Sequence, residues 1–173
     1  DPLALIPKPV SVVTGNGKFT FPTALNASYP AYEGDSVKSL ITQFASDFKT
    51  TTGIRITATE NASNATFTLS LNAALGPEAY TLSVTSDAIK ITASHPIGFY
   101  YALLTLKQLM PRNVLAGVAD KKITKWTLPV VAIADKPRFS WRGFMLDVGR
   151  HFFDKNEIKR VIDIMSVYKL NRF

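Results

Sequence analysis

The chain has 173 residues, a net charge of +7 and no cysteine, and hydrophobic residues make up 46% of it. This composition allows a packed core, and the lack of cysteine excludes disulfides, zinc–thiolate sites and a cysteine nucleophile. Lysine and arginine are scattered in runs no longer than two, which argues against nucleic-acid binding. We expect no signal peptide, and no membrane span, because no apolar run approaches roughly 18 residues.

The first part of the chain predicts short strands, a helix and two more strands. Valines in residues 10–13 and two later phenylalanines, Phe19 and Phe21, indicate strands joined by a turn at residues 14–17. A helix is expected from Asp35 to just before Gly53, with one apolar stripe that suits packing on a sheet: Val37, Leu40, Ile41, Phe44 and Phe48. Residues 54–57 and 67–71 are predicted strands.

The central part predicts a β-hairpin followed by a buried helix. Residues 80–84 and 89–91 alternate apolar and polar side chains on either side of a turn at residues 86–87. Residues 96–110 predict a helix that is apolar almost all round, which indicates burial on more than one side. We expect a loop at residues 112–123, an extended segment at 126–133 and a linker at 135–137.

The last part predicts the beginning of a strand–helix–strand repeat. Residues 143–146 form an apolar run typical of a strand buried on both faces. Asp154, with Glu157 three residues later, predicts a helix start, and an apolar stripe follows: Ile158, Val161, Ile162 and Met165. A second strand is expected in residues 169–173. The fold class is therefore α+β, a mostly antiparallel sheet with two helices on one face, followed by the first unit of a parallel repeat.

Four polar residues flank the apolar run 143–146: Arg142 before it, and Asp147, Arg150 and His151 after it. A charge beside a buried strand needs a partner. In the structural interpretation, Asp147 and Arg150 form an ion pair that pins the strand. In the functional interpretation, Arg142 lies in a polar cleft, where the five donors of its guanidinium suit sugar hydroxyls or a carboxylate.

The remaining candidates predict no chemistry. The chain has no phosphate-binding glycine loop, no dinucleotide motif and no H-E-x-x-H zinc motif, so we expect no cofactor and no metal. His95 beside a helix start is interpreted as an ordinary histidine. Glu78 and Tyr80, before the hairpin, are interpreted as structural residues.

Residues 137–153, PRFSWRGFMLDVGRHFF, resemble the beginning of the catalytic barrel of family 20 glycoside hydrolases, the β-N-acetylhexosaminidases. Residues 6–9, 78–84, 98–109 and 168–171 are also similar to that family, so the resemblance covers nearly the whole chain. It implies a non-catalytic α+β accessory domain in residues 1–135 and the first βα unit of a truncated (β/α)8 barrel in residues 136–173. It implies that Arg142 binds hydroxyls of the terminal N-acetylhexosamine. The family's catalytic Asp-Glu pair has no match here, so the resemblance implies no catalytic residue in this chain.

The resemblance also implies an activity, a substrate and a compartment. The parent enzyme would hydrolyse terminal β-linked GlcNAc or GalNAc from glycans or chitin fragments by substrate-assisted, retaining catalysis, outside the cell or in the periplasm. A (β/α)8 barrel takes about 250 residues, so we expect this chain alone to be inactive. Its uncovered barrel residues are expected to pack on the first domain or on a second copy, as a homo-oligomer.

Two alternatives stay open. One is a different sugar hydrolase with the same accessory domain, such as an α-glucuronidase-like or O-GlcNAcase-like enzyme. The other is a free-standing structural or glycan-binding module, which would bind sugar without any further region. Against the module, the aromatic residues mostly fall on core stripes, so no exposed aromatic platform is expected.

Overall fold

The protein divides into two compact units in a computed structural model that describes residues 3–173. The first unit contains Pro9–Lys136 together with residues 3–5. The second contains Pro137–Phe173 together with the short segment Ile6–Lys8. No helix of residues 3–173 has both the length and the apolar character needed to cross a bilayer.

The first unit is built on a seven-stranded sheet. Its strands are β1 Ser11–Thr20, β2 Ala24–Tyr29, β3 Arg55–Glu60, β4 Phe67–Leu71, β5 Tyr80–Val84, β6 Ile89–Ala93 and β7 Thr127–Asp135. Their order in the sheet is β1-β7-β5-β6-β4-β2-β3. The pairs β1–β7, β7–β5 and β5–β6 are antiparallel, whereas β6–β4, β4–β2 and β2–β3 are parallel. The α+β class is confirmed, and the sheet is more mixed than the predicted, mostly antiparallel one.

Strand β1 corrects one local prediction. The sequence predicts two strands joined by a turn at residues 14–17, but the chain continues as one strand along β7. The pairing register shifts between Thr14 and Lys18, so the extra residues form a bulge instead of reversing the chain. Gly17 adopts φ 97°, and a Cβ on Gly15 would lie only 2.7 Å from the Val130 side chain. Both glycines are therefore needed for the bulge.

Two long helices, α1 Ser36–Thr52 and α2 Pro96–Gln108, contact each other and the same sheet. The predicted stripe of α1 is confirmed: Val37, Ile41, Phe44 and Phe48 are buried, and Leu40 packs against the core. Gly53 ends α1 at φ 77°, and its N–H donates to the carbonyl of Lys49 at 2.8 Å. The predicted loop after α2 begins instead with a short helix, α3 Arg112–Leu115.

The core lies between the sheet and the helices, and it explains why α2 is apolar on most sides. Eight of its residues are buried: Gly98, Phe99, Tyr101, Ala102, Leu103, Leu104, Thr105 and Leu106. Each fully buried ring such as Phe67 or Phe99 stabilises the unit by about 2–3 kcal/mol relative to an exposed ring.

The second unit contains the helix α4 Lys155–Val167, which begins with the predicted capping box. The Asp154 carboxylate accepts hydrogen bonds from the N–H groups of Asn156 at 2.7 Å and Glu157 at 2.9 Å. The Glu157 carboxylate in turn accepts from the Asp154 N–H at 3.0 Å. These bonds satisfy donors that a helix start leaves without intrahelical partners.

Residues 143–146 are predicted to form a strand buried on both faces, and this prediction is wrong. Phe144 is 47% exposed and Met145 84% exposed, and in place of a ladder there is one parallel bridge between Gly143 and Arg172. The second predicted strand, residues 169–173, is likewise reduced to this bridge. Ile162, on the predicted apolar stripe of α4, is 46% exposed. A strand is buried on both faces only when neighbouring strands and helices cover it.

Candidate functional site

All four predicted site residues lie in the second unit, on two sides of residues 143–146. Arg142 precedes this segment, and Asp147, Arg150 and His151 follow it. The structure brings Asp147, Arg150 and His151 into one turn, whereas Arg142 lies at the other end of the segment.

Arg142 is half-buried and holds two stretches of chain together. Its guanidinium donates from Nε to the Lys169 carbonyl at 2.7 Å and from Nη1 to the Phe139 carbonyl at 2.7 Å. Its backbone carbonyl accepts from the N–H groups of Asn171 at 2.8 Å and Arg172 at 3.2 Å. Because hydrogen bonds from a charged donor are the stronger kind, the side chain ties the start of residues 143–146 to the segment after α4.

The partners of Arg142 were not identified from the sequence as site residues. Lys169 is buried with a left-handed backbone at φ 60°, which turns its carbonyl toward the guanidinium. Asn171 accepts from the Arg142 N–H through Oδ1 at 3.0 Å and donates through Nδ2 to the Ser140 carbonyl at 2.9 Å. The sequence signal is Asn171 within the predicted second strand, residues 169–173, where a side-chain amide that leaves solvent needs partners.

Asp147 organises the turn at the other end. Its Oδ1 accepts hydrogen bonds from the N–H groups of Gly149 at 3.0 Å and Arg150 at 3.1 Å. Its Oδ2 lies 3.2 Å from Nε of Arg150, whose side chain is 91% exposed. The predicted ion pair is present, but in an exposed turn, where it contributes at most about 1 kcal/mol. The turn is therefore shaped by the backbone bonds to the carboxylate, and the Arg150 guanidinium faces solvent.

His151 is exposed next to this turn. Its ring meets the ring of Phe153 edge-on, with centroids 4.9 Å apart. Across residues 3–173, the structure has no group of three His, Cys, Asp or Glu residues that could hold a metal ion.

The other polar candidates lie in the first unit and form hydrogen bonds there. The Tyr80 hydroxyl donates to Oδ2 of Asp135 at 2.9 Å, and burial raises the pKa of Tyr80 well above its usual value. Glu78 accepts a hydrogen bond from the Tyr101 hydroxyl at 3.0 Å. His95 Nδ1 lies 2.9 Å from the Ser94 hydroxyl. These contacts agree with the structural interpretation of all three residues.

The first unit also contains an open groove of about 590 Å³ between the starts of α1 and α2. The surface that lines the groove is mostly apolar, although some of the residues are polar. The lining residues are Ser36, Ser39, Leu40, Gln43, Pro96, Ile97 and Tyr100. This lining contains no carboxylate, histidine or cation.

Comparisons with known proteins point to one family over both units. The description "Glycosyl hydrolase family 20, domain 2" matches residues 3–136, and "Glycosyl hydrolase family 20, catalytic domain" matches residues 139–173. A beta-hexosaminidase of Vibrio furnissii is 30% identical over 171 residues, which are 99% of this chain and 26% of that protein.

Solved structures of the same family are similar to this chain. The Streptomyces plicatus N-acetyl-beta-hexosaminidase in complex with Thio-NAglucal gives a TM-score of 0.83 at 30% identity, covering 96% of this chain and 33% of that one. The Vibrio harveyi GH20 exo beta-N-acetylglucosaminidase in complex with N-acetylglucosamine gives 0.76 at 29% identity, covering 96% and 24%. The chain thus spans between 24% and 33% of the length of these three relatives.

Proposed function

Since the chain belongs to glycosyl hydrolase family 20, we propose that the complete protein is a β-N-acetylhexosaminidase acting on terminal β-linked GlcNAc or GalNAc of glycans or chitin fragments. The single observation that carries this proposal is the family match over both units, at residues 3–136 and 139–173. The similarity to beta-hexosaminidases over nearly the whole chain supports it. We propose an extracellular or periplasmic location on the family resemblance alone.

Residues 136–173 form, in this proposal, the first unit of a (β/α)8 barrel. The parallel bridge between Gly143 and Arg172, with α4 between the two residues, supports it. Parallel neighbours joined through a helix are the repeating element of such barrels. The exposed side chains of Phe144, Met145 and Ile162 then face positions that further barrel elements would cover.

The proposed mechanism is substrate-assisted. The acetamido oxygen of the substrate attacks the anomeric carbon, while an Asp steadies the acetamido group and a Glu serves as general acid and base, an exception to the two-carboxylate scheme. This chain has no match to that Asp-Glu pair, so its own contribution is to substrate binding. The 173-residue chain alone would then be inactive.

A pair of substrates tests this proposal. The complete enzyme should hydrolyse an aryl N-acetyl-β-glucosaminide and leave the matching aryl β-glucoside, which lacks the acetamido group, almost untouched. Comparable rates on both substrates would contradict substrate assistance. Turnover of the N-acetylated substrate by the 173-residue chain would contradict the proposal that this chain is inactive by itself.

The direction of the strand indicates which of the two arginines, Arg142 or Arg150, can contact the sugar. Active sites of (β/α)8 barrels lie at the carboxyl ends of the strands. Arg142 precedes the bridge at Gly143, at the amino end, and its guanidinium bonds two backbone carbonyls. Arg150 follows the carboxyl end, and its side chain is 91% exposed. The Arg142 contact stays a prediction, and this geometry favours Arg150 as the residue that binds sugar hydroxyls.

Kinetics of the complete enzyme separate the two arginines. If Arg150 binds the sugar, Arg150→Lys should raise KM for the aryl N-acetyl-β-glucosaminide about tenfold or more, since lysine loses the forked geometry. Arg142→Lys should leave KM within about twofold and lower only the amount of folded enzyme. A large KM increase for a well-folded Arg142→Lys enzyme, with a normal KM for Arg150→Lys, would restore Arg142 as the contact.

A further inference from the structure

The two connections that leave the first unit start side by side. Ser11, the first residue of β1, pairs with Ala134 near the end of β7. After the short segment Ile6–Lys8, the chain therefore returns to this unit just before Ser11, and it leaves the unit just after Ala134, at the same end of one antiparallel ladder. Beyond these residues, both connections lead to the second unit, which contains Ile6–Lys8 and Pro137–Phe173.

One carboxylate holds both connections. Oδ1 of Asp135 accepts a hydrogen bond from the Val10 N–H at 3.3 Å. Backbone pairing of β1 with β7 begins only at Ser11, so this side-chain bond holds the residue just before the paired strand. Oδ2 of the same group accepts from the Tyr80 hydroxyl at 2.9 Å. Asp135 thus joins the incoming chain, the outgoing chain and strand β5.

Tyr80 continues this connection into the core. Its ring is 1% exposed, and its hydroxyl lies 2.7 Å from Oγ1 of Thr105 on α2. Because the Tyr80 hydroxyl gives its one hydrogen to Asp135, the Thr105 hydroxyl is the donor in this bond. The Tyr101 carbonyl, 3.0 Å from Oγ1 of Thr105, is the alternative acceptor for the same Thr105 hydrogen. A phenol is protonated at neutral pH, and burial raises the pKa of Tyr80 further, so its hydroxyl remains a donor to Asp135.

We propose that Asp135, Tyr80 and Thr105 form a junction clamp that fixes the root of both connections to helix α2. The clamp is independent of glycosidase chemistry, because it involves only residues of the first unit. Its role is conformational: it keeps the incoming segment and the linker from fraying. Opening of the clamp frees Val10 and the peptide that follows Asp135 without unfolding the sheet.

Tyr80→Phe tests the clamp with little change of shape. Hydrogen exchange of the Val10 amide should become about tenfold faster, and tryptic cleavage after Arg138 should rise by a similar factor, because a bond to a carboxylate is lost. Exchange of the Leu82 amide, in the middle of β5, should stay within about twofold. If Tyr80→Phe lowers expression, Asp135→Ala should give the same local pattern.

Tyr101→Phe is the matched control. It removes the partly buried 3.0 Å bond from the phenol of Tyr101, on α2, to Glu78, and it leaves Asp135 untouched. It should leave exchange at Val10 and cleavage after Arg138 at the wild-type level. Equal increases in both variants, or wild-type exchange at Val10 in Tyr80→Phe, would overturn the clamp and leave only a general contribution to stability.

Discussion

Arg142→Lys should loosen the second unit by a measurable amount. The guanidinium bonds the carbonyls of Lys169 and Phe139, each at 2.7 Å, from two different nitrogens. A lysine ammonium is a single point that cannot reach both carbonyls in the same geometry. A hydrogen bond from a charged donor contributes about 1.5–3 kcal/mol, and the bond to Phe139 is solvent-exposed and worth less. We expect a loss of about 2 kcal/mol in local opening free energy.

Amide exchange of the 173-residue chain measures this loss directly. The Phe144 N–H donates to the Arg172 carbonyl at 3.0 Å, and the Asn171 N–H donates to the Arg142 carbonyl at 2.8 Å. A loss of about 2 kcal/mol makes both amides exchange about 30-fold faster. Arg150→Lys, at an exposed position, should change both rates less than twofold. Unchanged exchange in Arg142→Lys would refute a structural role for this guanidinium.

Three further predictions concern stability. Because burial raises the pKa of Tyr80 above its ordinary value of 10.0, the folded state keeps the phenol proton to higher pH than the unfolded state does. This contribution is complete below pH 10 and is lost above it by about 1.4 kcal/mol per pH unit, so urea unfolding should show an alkaline slope that Tyr80→Phe removes. Gly53→Ala, at φ 77°, should cost about 1 kcal/mol in thermal unfolding, whereas Gly76→Ala, with equal space around the added Cβ and no positive φ, should be nearly neutral. Asp154→Ala should speed amide exchange in the first turn of α4 by about fivefold, since a lost N-cap costs about 1 kcal/mol.

Local signals in the sequence predict the elements that depend on local pattern. The hairpin of β5 and β6 follows from strict alternation, and Leu82 and Ile91 are paired and buried as that alternation requires. The capping box of α4 follows from Asp154 and Glu157, three residues apart. In each case, the residues that determine the geometry are neighbours in the chain.

The order of the strands and the burial of residues 143–146 depend on residues that are far apart in the chain, and the sequence does not predict them correctly. Strand β2 lies between β3 and β4 in parallel register, but its Asn26 and the flanking Pro22 and Pro30 gave no strand signal. Alternation is the same in parallel and antiparallel strands, so it cannot predict the parallel half of the sheet. Met145 is exposed although the sequence predicts it to be buried, because an apolar run does not specify which other elements cover it.

The geometry of the candidate site could be predicted only in part. The Asp147–Arg150 pair follows from charge and a spacing of three residues. The bonds from Arg142 to the Lys169 and Phe139 carbonyls depend on the left-handed turn at Lys169, which no side-chain pattern indicated. A lysine rarely adopts positive φ, and tertiary context imposes it here.

The pairing of Ser11 with Ala134 places the two ends of residues 11–134, which contain all the helices of the first unit and the whole sheet except one residue of β7, next to each other. Directly opposite residues of an antiparallel pair lie about 5 Å apart, so a peptide of two or three residues could bridge the gap left by excising everything between them. Insertion or loss of such a module changes the path of the surrounding polypeptide very little. A genetic exchange could therefore transplant the sheet and its helices between enzymes in one step.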